Sequence, residues 1–279
     1  MSAVRHYSGN NPDRMALSDY CRVGAWFAVA LFVLYVALAA LAASIVDGML
    51  YFPDYASRKE PANVIRIPTP DGGSLAAIYL PNPAAKHTLW FFHGNAEDLG
   101  SLEPFLRELH ARGFAVFAYD YPGYGVSTGT PNEKAIYAAN AVAARYLHET
   151  LKVPLSRVIL VGRSLGGGPA TDLATREPVA GLVLQSTFMS VYRVMTRVRL
   201  LPFDQFENLR KLPRVKCPVL VMHGTADEVI PFKHGEKLHA AARGTKLHLW
   251  IEGAQHNDFI DVAGERYWSA LREFAVALP

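Results

Sequence analysis

The stretch from Val158 to Gly168, read Val-Ile-Leu-Val-Gly-Arg-Ser-Leu-Gly-Gly-Gly, restricts the available folds more than any other. Its first half is an unbroken apolar run, the pattern of a strand buried on both faces. That run feeds directly into Gly162-Arg163-Ser164-Leu165-Gly166 and then into a helical pattern from Gly166 to Arg176. Strand, Gly-x-Ser-x-Gly and helix in this order form a nucleophile elbow, which holds its serine in a strained backbone conformation at the strand's end. Gly162 and Gly166 lack side chains because strand and helix pass too closely to admit them. A phosphate-cradling loop is the alternative use of such glycines, but neither G-x-G-x-x-G nor G-x-x-x-x-G-K-[ST] can be laid on these residues.

A serine hydroxyl needs a base to take its proton, and that base needs a carboxylate to hold its tautomer. Downstream, Val221-Met-His-Gly-Thr-Ala-Asp227 puts an acid after one apolar run, and Gly253-Ala-Gln-His256 puts a histidine after the last. The catalytic candidates are therefore Ser164, Asp227 and His256, in the chain order expected of an α/β-hydrolase sheet. Glu228 and Asp258 are rival acids. His93 and His223 each precede a glycine at a strand end and read as supports of a turn. The remaining histidines fall on tails, helix faces or strand edges. Two backbone N–H groups are expected to receive the oxyanion: that of Leu165, next after the nucleophile, and that of Asn95 in His93-Gly94-Asn95-Ala96. A second Gly-x-Ser-x-Gly, Gly125 to Gly129, lacks a strand immediately before it and a helix immediately after, so Ser127 is a rival to Ser164 in pattern only and its loop is expected to shape the pocket rim.

Along the chain, Val64 to Ile67 and Ser74 to Leu80 read as strands joined across Asp71-Gly72-Gly73, a hairpin signal. Thr88 to Phe92, Ala115 to Tyr119, Gly181 to Gln185, Pro218 to His223 and Lys246 to Ile251 are further strands. Helical patterns alternate with them at Ser101 to Arg112, Phe232 to Ala242 and Gly264 to Ala277. Another runs from a Thr130-Pro131-Asn132-Glu133 capping box, with proline at the first helical position, to about Leu151. Such alternation predicts an α/β fold with a mostly parallel sheet flanked by helices. Residues 188–215 have no strand pattern and suit a small helical cap.

Val23 to Val46 carries no charge over 24 residues. As a helix it measures about 36 Å, enough to span a hydrocarbon core of about 30 Å. The expected organisation is a polar tail over 1–22, one transmembrane helix over 23–46, a linker over 47–63 and the catalytic domain over 64–279. Ala40-Leu41-Ala42 would serve as a cleavage site were the run a signal peptide, but it exceeds the usual length of a signal core. Arg14 and Arg22 on one side balance Arg58 and Lys59 on the other. Arg22 abuts the helix, which favours an internal amino terminus and a catalytic domain on the non-cytoplasmic side. A net charge of +3 without a basic cluster gives no nucleic-acid signature. Cys21 and Cys217 show neither metal-ligand spacing nor a disulfide framework.

Tyr51-Phe-Pro, His93-Gly-Asn-Ala-Glu, Asp120-Tyr-Pro-Gly-Tyr-Gly-Val-Ser, Gly162-Arg-Ser-Leu-Gly-Gly, His223-Gly-Thr-Ala-Asp-Glu-Val-Ile-Pro and His256-Asn-Asp together resemble the Bem46-like branch of the α/β-hydrolase superfamily. The resemblance runs from about Tyr51 to the carboxyl terminus. It implies an eight-stranded sheet, the triad Ser164, Asp227 and His256, and neither metal nor organic cofactor. Some eukaryotic members, the alpha/beta hydrolase domain-containing 17 group, remove fatty-acyl groups from proteins. That group is tethered through a cysteine-rich amino-terminal stretch, whereas this chain has Cys21 alone beside an apolar run. The expected function is a membrane-anchored serine hydrolase acting on an ester or thioester of a small-molecule or lipid-like acyl substrate or of an acylated protein. A peptidase of the same fold and a non-catalytic receptor domain are the alternatives.

Overall fold

The computed structural model describes residues 17–196 and 204–278. The chain divides into two compact units, one ending at Val46 and one beginning at Asp47.

Helix α1 (Leu17–Leu50) supplies the described residues of the first unit and its last four residues belong to the second. Within it Ser18–Leu41 has a mean hydropathy of 2.3, and large apolar side chains such as Trp26, 74 % exposed, stand outward. By length and composition this span is long and apolar enough to cross a membrane. The helix starts earlier than the charge-free run because nothing between Leu17 and Arg22 breaks it, so the end of the expected polar tail is helical. It also continues into the expected linker as far as Leu50.

The second unit is an eight-stranded sheet: β1 (Ile65–Pro68), β2 (Ser74–Leu80), β3 (Thr88–Phe92), β4 (Ala115–Tyr119), β5 (Val158–Arg163), β6 (Gly181–Gln185), β7 (Val219–Gly224) and β8 (Lys246–Ile251). Their spatial order is β1-β2-β4-β3-β5-β6-β7-β8. β1 and β2 pair antiparallel, as do β2 and β4, and every later pairing is parallel. Strand order reverses at β3, which lies between β4 and β5. The crevice beyond the carboxyl ends of β3 and β5 is thus a topological switch point, where open α/β sheets bind ligands.

Alternation along β3 sorts its side chains between two cores. Leu89 and Phe91 join the core shared by α2 (Leu99–Ala111) and α9 (Glu265–Ala277), with Leu102, Leu106, Leu271 and Phe274. Trp90 and Phe92 pack with Phe117 and Tyr119 instead. Tyr119 bonds there through Asn140 of α3 (Glu133–Arg145) to the Pro169 carbonyl of α4 (Gly167–Ala174). Helix α3 is capped by the Asn132 side chain, which accepts the Ala135 N–H at 2.8 Å. Thr130 is therefore not the cap and Pro131 stands outside the helix; Asn132, an equally good capping residue, lies nearer the apolar stripe. Of the expected cap, α5 (Val191–Thr196) and α6 (Asn208–Lys211) are helical, and residues 197–203 lie outside the described residues. Helix α7 (Lys233–Ala241) follows β7, and a short helix α8 (Phe259–Ala263), too brief to leave a periodic signal, precedes α9.

Candidate active site

Ser164 stands at the carboxyl end of β5 with φ at +52°, the left-handed region that side-chain-bearing residues enter only at a cost. The turn is too tight for a side chain on either side. A Cβ on Gly162 would stand 2.6 Å from the Gly166 carbonyl oxygen, and one on Gly166 would stand 2.1 Å from that of Phe92. Thr187 anchors the elbow by donating its hydroxyl to the Ser164 carbonyl at 2.6 Å.

His256, in the loop after β8, places Nε2 3.1 Å from Ser164 Oγ and Nδ1 2.8 Å from Asp227 Oδ2. Asp227 follows β7, with its carboxylate fully enclosed. Its other oxygen accepts the N–H groups of Val229 at 3.0 Å and Ile230 at 2.7 Å. Burial pushes this carboxyl upward, yet the bonds from His223, His256 and Ile230 outweigh it and hold the group below the ordinary aspartate value. An ionised acid on Nδ1 fixes the proton there and leaves Nε2 free to accept from serine. Of the rival acids, Glu228 is exposed, while Asp258 accepts the Gln255 N–H at 2.7 Å and so shapes the histidine loop.

The two expected oxyanion donors come from neighbouring strands. Leu165 is the second residue of the helical turn that Ser164 opens, and the first N–H groups of a turn have no carbonyl within it. Gly94 lies against Ser164, a Cβ built on it standing 3.8 Å from that of the serine. His93 donates Nδ1–H to the Gly94 carbonyl at 2.7 Å. Across that trans peptide the Asn95 N–H points away from the imidazole.

Several residues of the site escape a reading of the sequence. Glu97 accepts the Gly94 N–H at 2.7 Å and is clamped by the Arg163 guanidinium, so the residue before Ser164 is joined to the loop after β3. Burial opposes ionisation of Glu97, but Arg163 and the Gly94 bond hold its carboxyl below the ordinary value. His223 is more than a turn support. Its Nε2 donates to the Ile230 carbonyl at 2.8 Å and lies 3.3 Å from Asp227 Oδ2. His93 stacks on Tyr121 at 4.0 Å and faces Asp120 at 3.6 Å. Burial pushes His93 down to about 4 and Asp120 up to about 8. Ser127 does not reach the reactive groups: its hydroxyl donates to the Asp120 carbonyl and accepts the Ala76 N–H, securing the loop to β2.

Comparison with known proteins follows the same outline. The human alpha/beta hydrolase domain-containing protein 17B is 38 % identical over 225 residues, which covers 79 % of this chain and 77 % of that protein. The chain belongs to the alpha/beta hydrolase domain-containing protein 17 family. As a member of that family it is a serine hydrolase. A second relative, the Caenorhabditis elegans alpha/beta hydrolase domain-containing protein aho-3, is 46 % identical over 184 residues, 64 % of this chain and 54 % of that protein. The family model described as serine aminopeptidase S33 matches residues 83–204, a span that includes Ser164 and ends before Asp227. Among solved structures, a Pyrococcus furiosus esterase shares the fold at a TM-score of 0.66 and 19 % identity, covering 82 % of this chain and 96 % of its own.

Proposed function

We propose that this chain is a membrane-tethered hydrolase that cleaves a carboxylic ester or thioester through an acyl group carried on Ser164. The observation that carries this reading is the continuous relay from Asp227 through His256 to Ser164, with contacts of 2.8 and 3.1 Å. Ser164 Oγ attacks the acyl carbon as its proton passes to His256 Nε2. The carbonyl π electrons move onto oxygen, where the N–H groups of Leu165 and Asn95 receive the negative charge. Collapse expels the alkoxide or thiolate, which takes the proton from Nε2. Water then loses a proton to His256, attacks the ester on Ser164 and releases the acid, and the serine regains its proton.

The tether supports an acyl-lipid or acylated-protein substrate. Helix α1 contains a span long and apolar enough to cross a bilayer. Soon after it comes Tyr55, 80 % exposed, a residue suited to the headgroup layer. Arg22 favours an internal amino terminus.

The test uses the full chain in lipid vesicles, offered a short soluble ester, a long-chain ester dispersed in the bilayer and the matching amide. Faster turnover of the long-chain ester is expected. Equal turnover of the two esters removes the membrane-substrate part of the reading. Faster cleavage of the amide favours a peptidase, the second reading, which the serine aminopeptidase match supports. Folded protein that turns over none of the three favours a receptor.

A further inference from the structure

The residues following the apolar helix are bonded to the loop that carries Asn95. Leu50 is the last residue of α1, and its carbonyl accepts the Asn95 side-chain N–H at 3.2 Å. Helix ends leave such carbonyls without an internal partner, so Asn95 caps α1. Two residues on, the Phe52 N–H is shared between the Asn95 carbonyl at 3.2 Å and the Tyr124 hydroxyl at 3.1 Å. Tyr124 in turn donates to the Asn95 carbonyl at 2.9 Å. Asn95 is thus held from outside at both its side chain and its carbonyl.

The far end of the same loop is held as well. Ser57 donates its hydroxyl to Asp98 at 2.8 Å, and the Arg58 N–H reaches the same carboxylate at 2.6 Å. To do so Arg58 adopts a φ of +51°, in the left-handed region. The Lys59 carbonyl then lies so close to α2 that a Cβ on Gly100 would stand 2.2 Å from its oxygen.

We infer that Leu50–Lys59 is a strap that positions the oxyanion loop. The strap residues are positioning residues: they touch the loop rather than the substrate. This inference rests on the roles proposed above for Ser164 and Asn95. Its chemical consequence is selective. Loosening the strap leaves acyl-group binding intact and weakens the response to a developing oxyanion, since a donor displaced by about 1 Å loses much of its effect.

The experiment uses the full-length chain in detergent with a soluble ester. It compares Ser164→Ala with Asn95→Ala, which removes only the side-chain donor to Leu50, with Tyr124→Phe, and with Gly100→Ala, which drives a methyl group into the Lys59 carbonyl. For the three strap variants kcat is expected to fall by about tenfold to a hundredfold with KM unchanged. The inhibition constant of a trifluoromethyl ketone, which forms a tetrahedral adduct, should rise by the same factor as kcat/KM falls. A purely structural role would lower the melting temperature without that proportionality. Using three variants keeps the test decisive if one of them does not fold. If Ser164→Ala retains turnover, the site assignment fails and the strap fails with it. If Ser164→Ala is inactive while the folded strap variants keep wild-type kcat, the strap alone is overturned.

Discussion

Ser164 is held at a φ of +52°, and the strain has a measurable counterpart. Glycine tolerates this conformation, so Ser164→Gly should stabilise the fold by about 1 kcal/mol net of the chain entropy glycine adds. Thermal unfolding checks this against Ser164→Ala, which should show no such gain. An unchanged midpoint in the glycine variant would mean the elbow stores no strain. In the proposed mechanism Asp227 holds the histidine tautomer, so Asp227→Asn should lower kcat by about 10⁴-fold with the fold intact, measured on a soluble ester. His93 and Asp120 give a pH signature. Asp120 binds its proton up to about 8 in the fold and to 3.8 when free, so its contribution is full below about 4 and is lost as pH rises toward 8. His93 falls from 6.5 to about 4, so its contribution is full above 6.5 and is lost as pH falls toward 4. The two slopes oppose each other below 6.5, leaving a decline in stability from about pH 6.5 to 8 that Asp120→Asn should abolish. Urea unfolding at a series of pH values reads it directly.

At the scale of elements, the sheet was legible because β3, β4, β5 and β6 are short, largely apolar runs, too brief for core helices and bounded by turn residues. Ser164, Asp227 and His256 stand out because each follows a strand and the order of the three is informative. The supporting groups are not legible in this way. Glu97 meets Arg163, Tyr124 meets Asn95 and Phe52, and His223 meets Asp227 through side-chain geometry that no local pattern records. For His223 the His-x-x-x-Asp spacing from the end of β7 is the one available signal, and the glycine after the histidine marks a turn equally well. The Glu97–Arg163 clamp joins the β3 loop to the β5 elbow across two elements. Arg163→Met strips the guanidinium from a part-buried carboxylate and should cost about 2 kcal/mol. Adding Glu97→Gln should recover part of that loss, and a double-mutant cycle on unfolding midpoints measures the coupling. Additive losses would show that the two side chains act independently.

For the whole molecule, the division at Val46 and Asp47 separates the apolar unit from the sheet. A chain beginning at Asp47 keeps the strap, so it should leave the membrane fraction and retain turnover of a soluble ester while slowing on a bilayer-dispersed one. Loss of both activities would show that the apolar unit is needed for the fold itself. The central claim is that Ser164 is a nucleophile activated by His256. Its most direct test is labelling of the intact protein with a fluorophosphonate probe, with the adduct mapped by mass spectrometry beside Ser164→Ala and His256→Ala. An adduct on Ser164 that disappears in both variants is the expected result. An adduct on another serine, or labelling of folded Ser164→Ala equal to that of the wild type, would contradict the account.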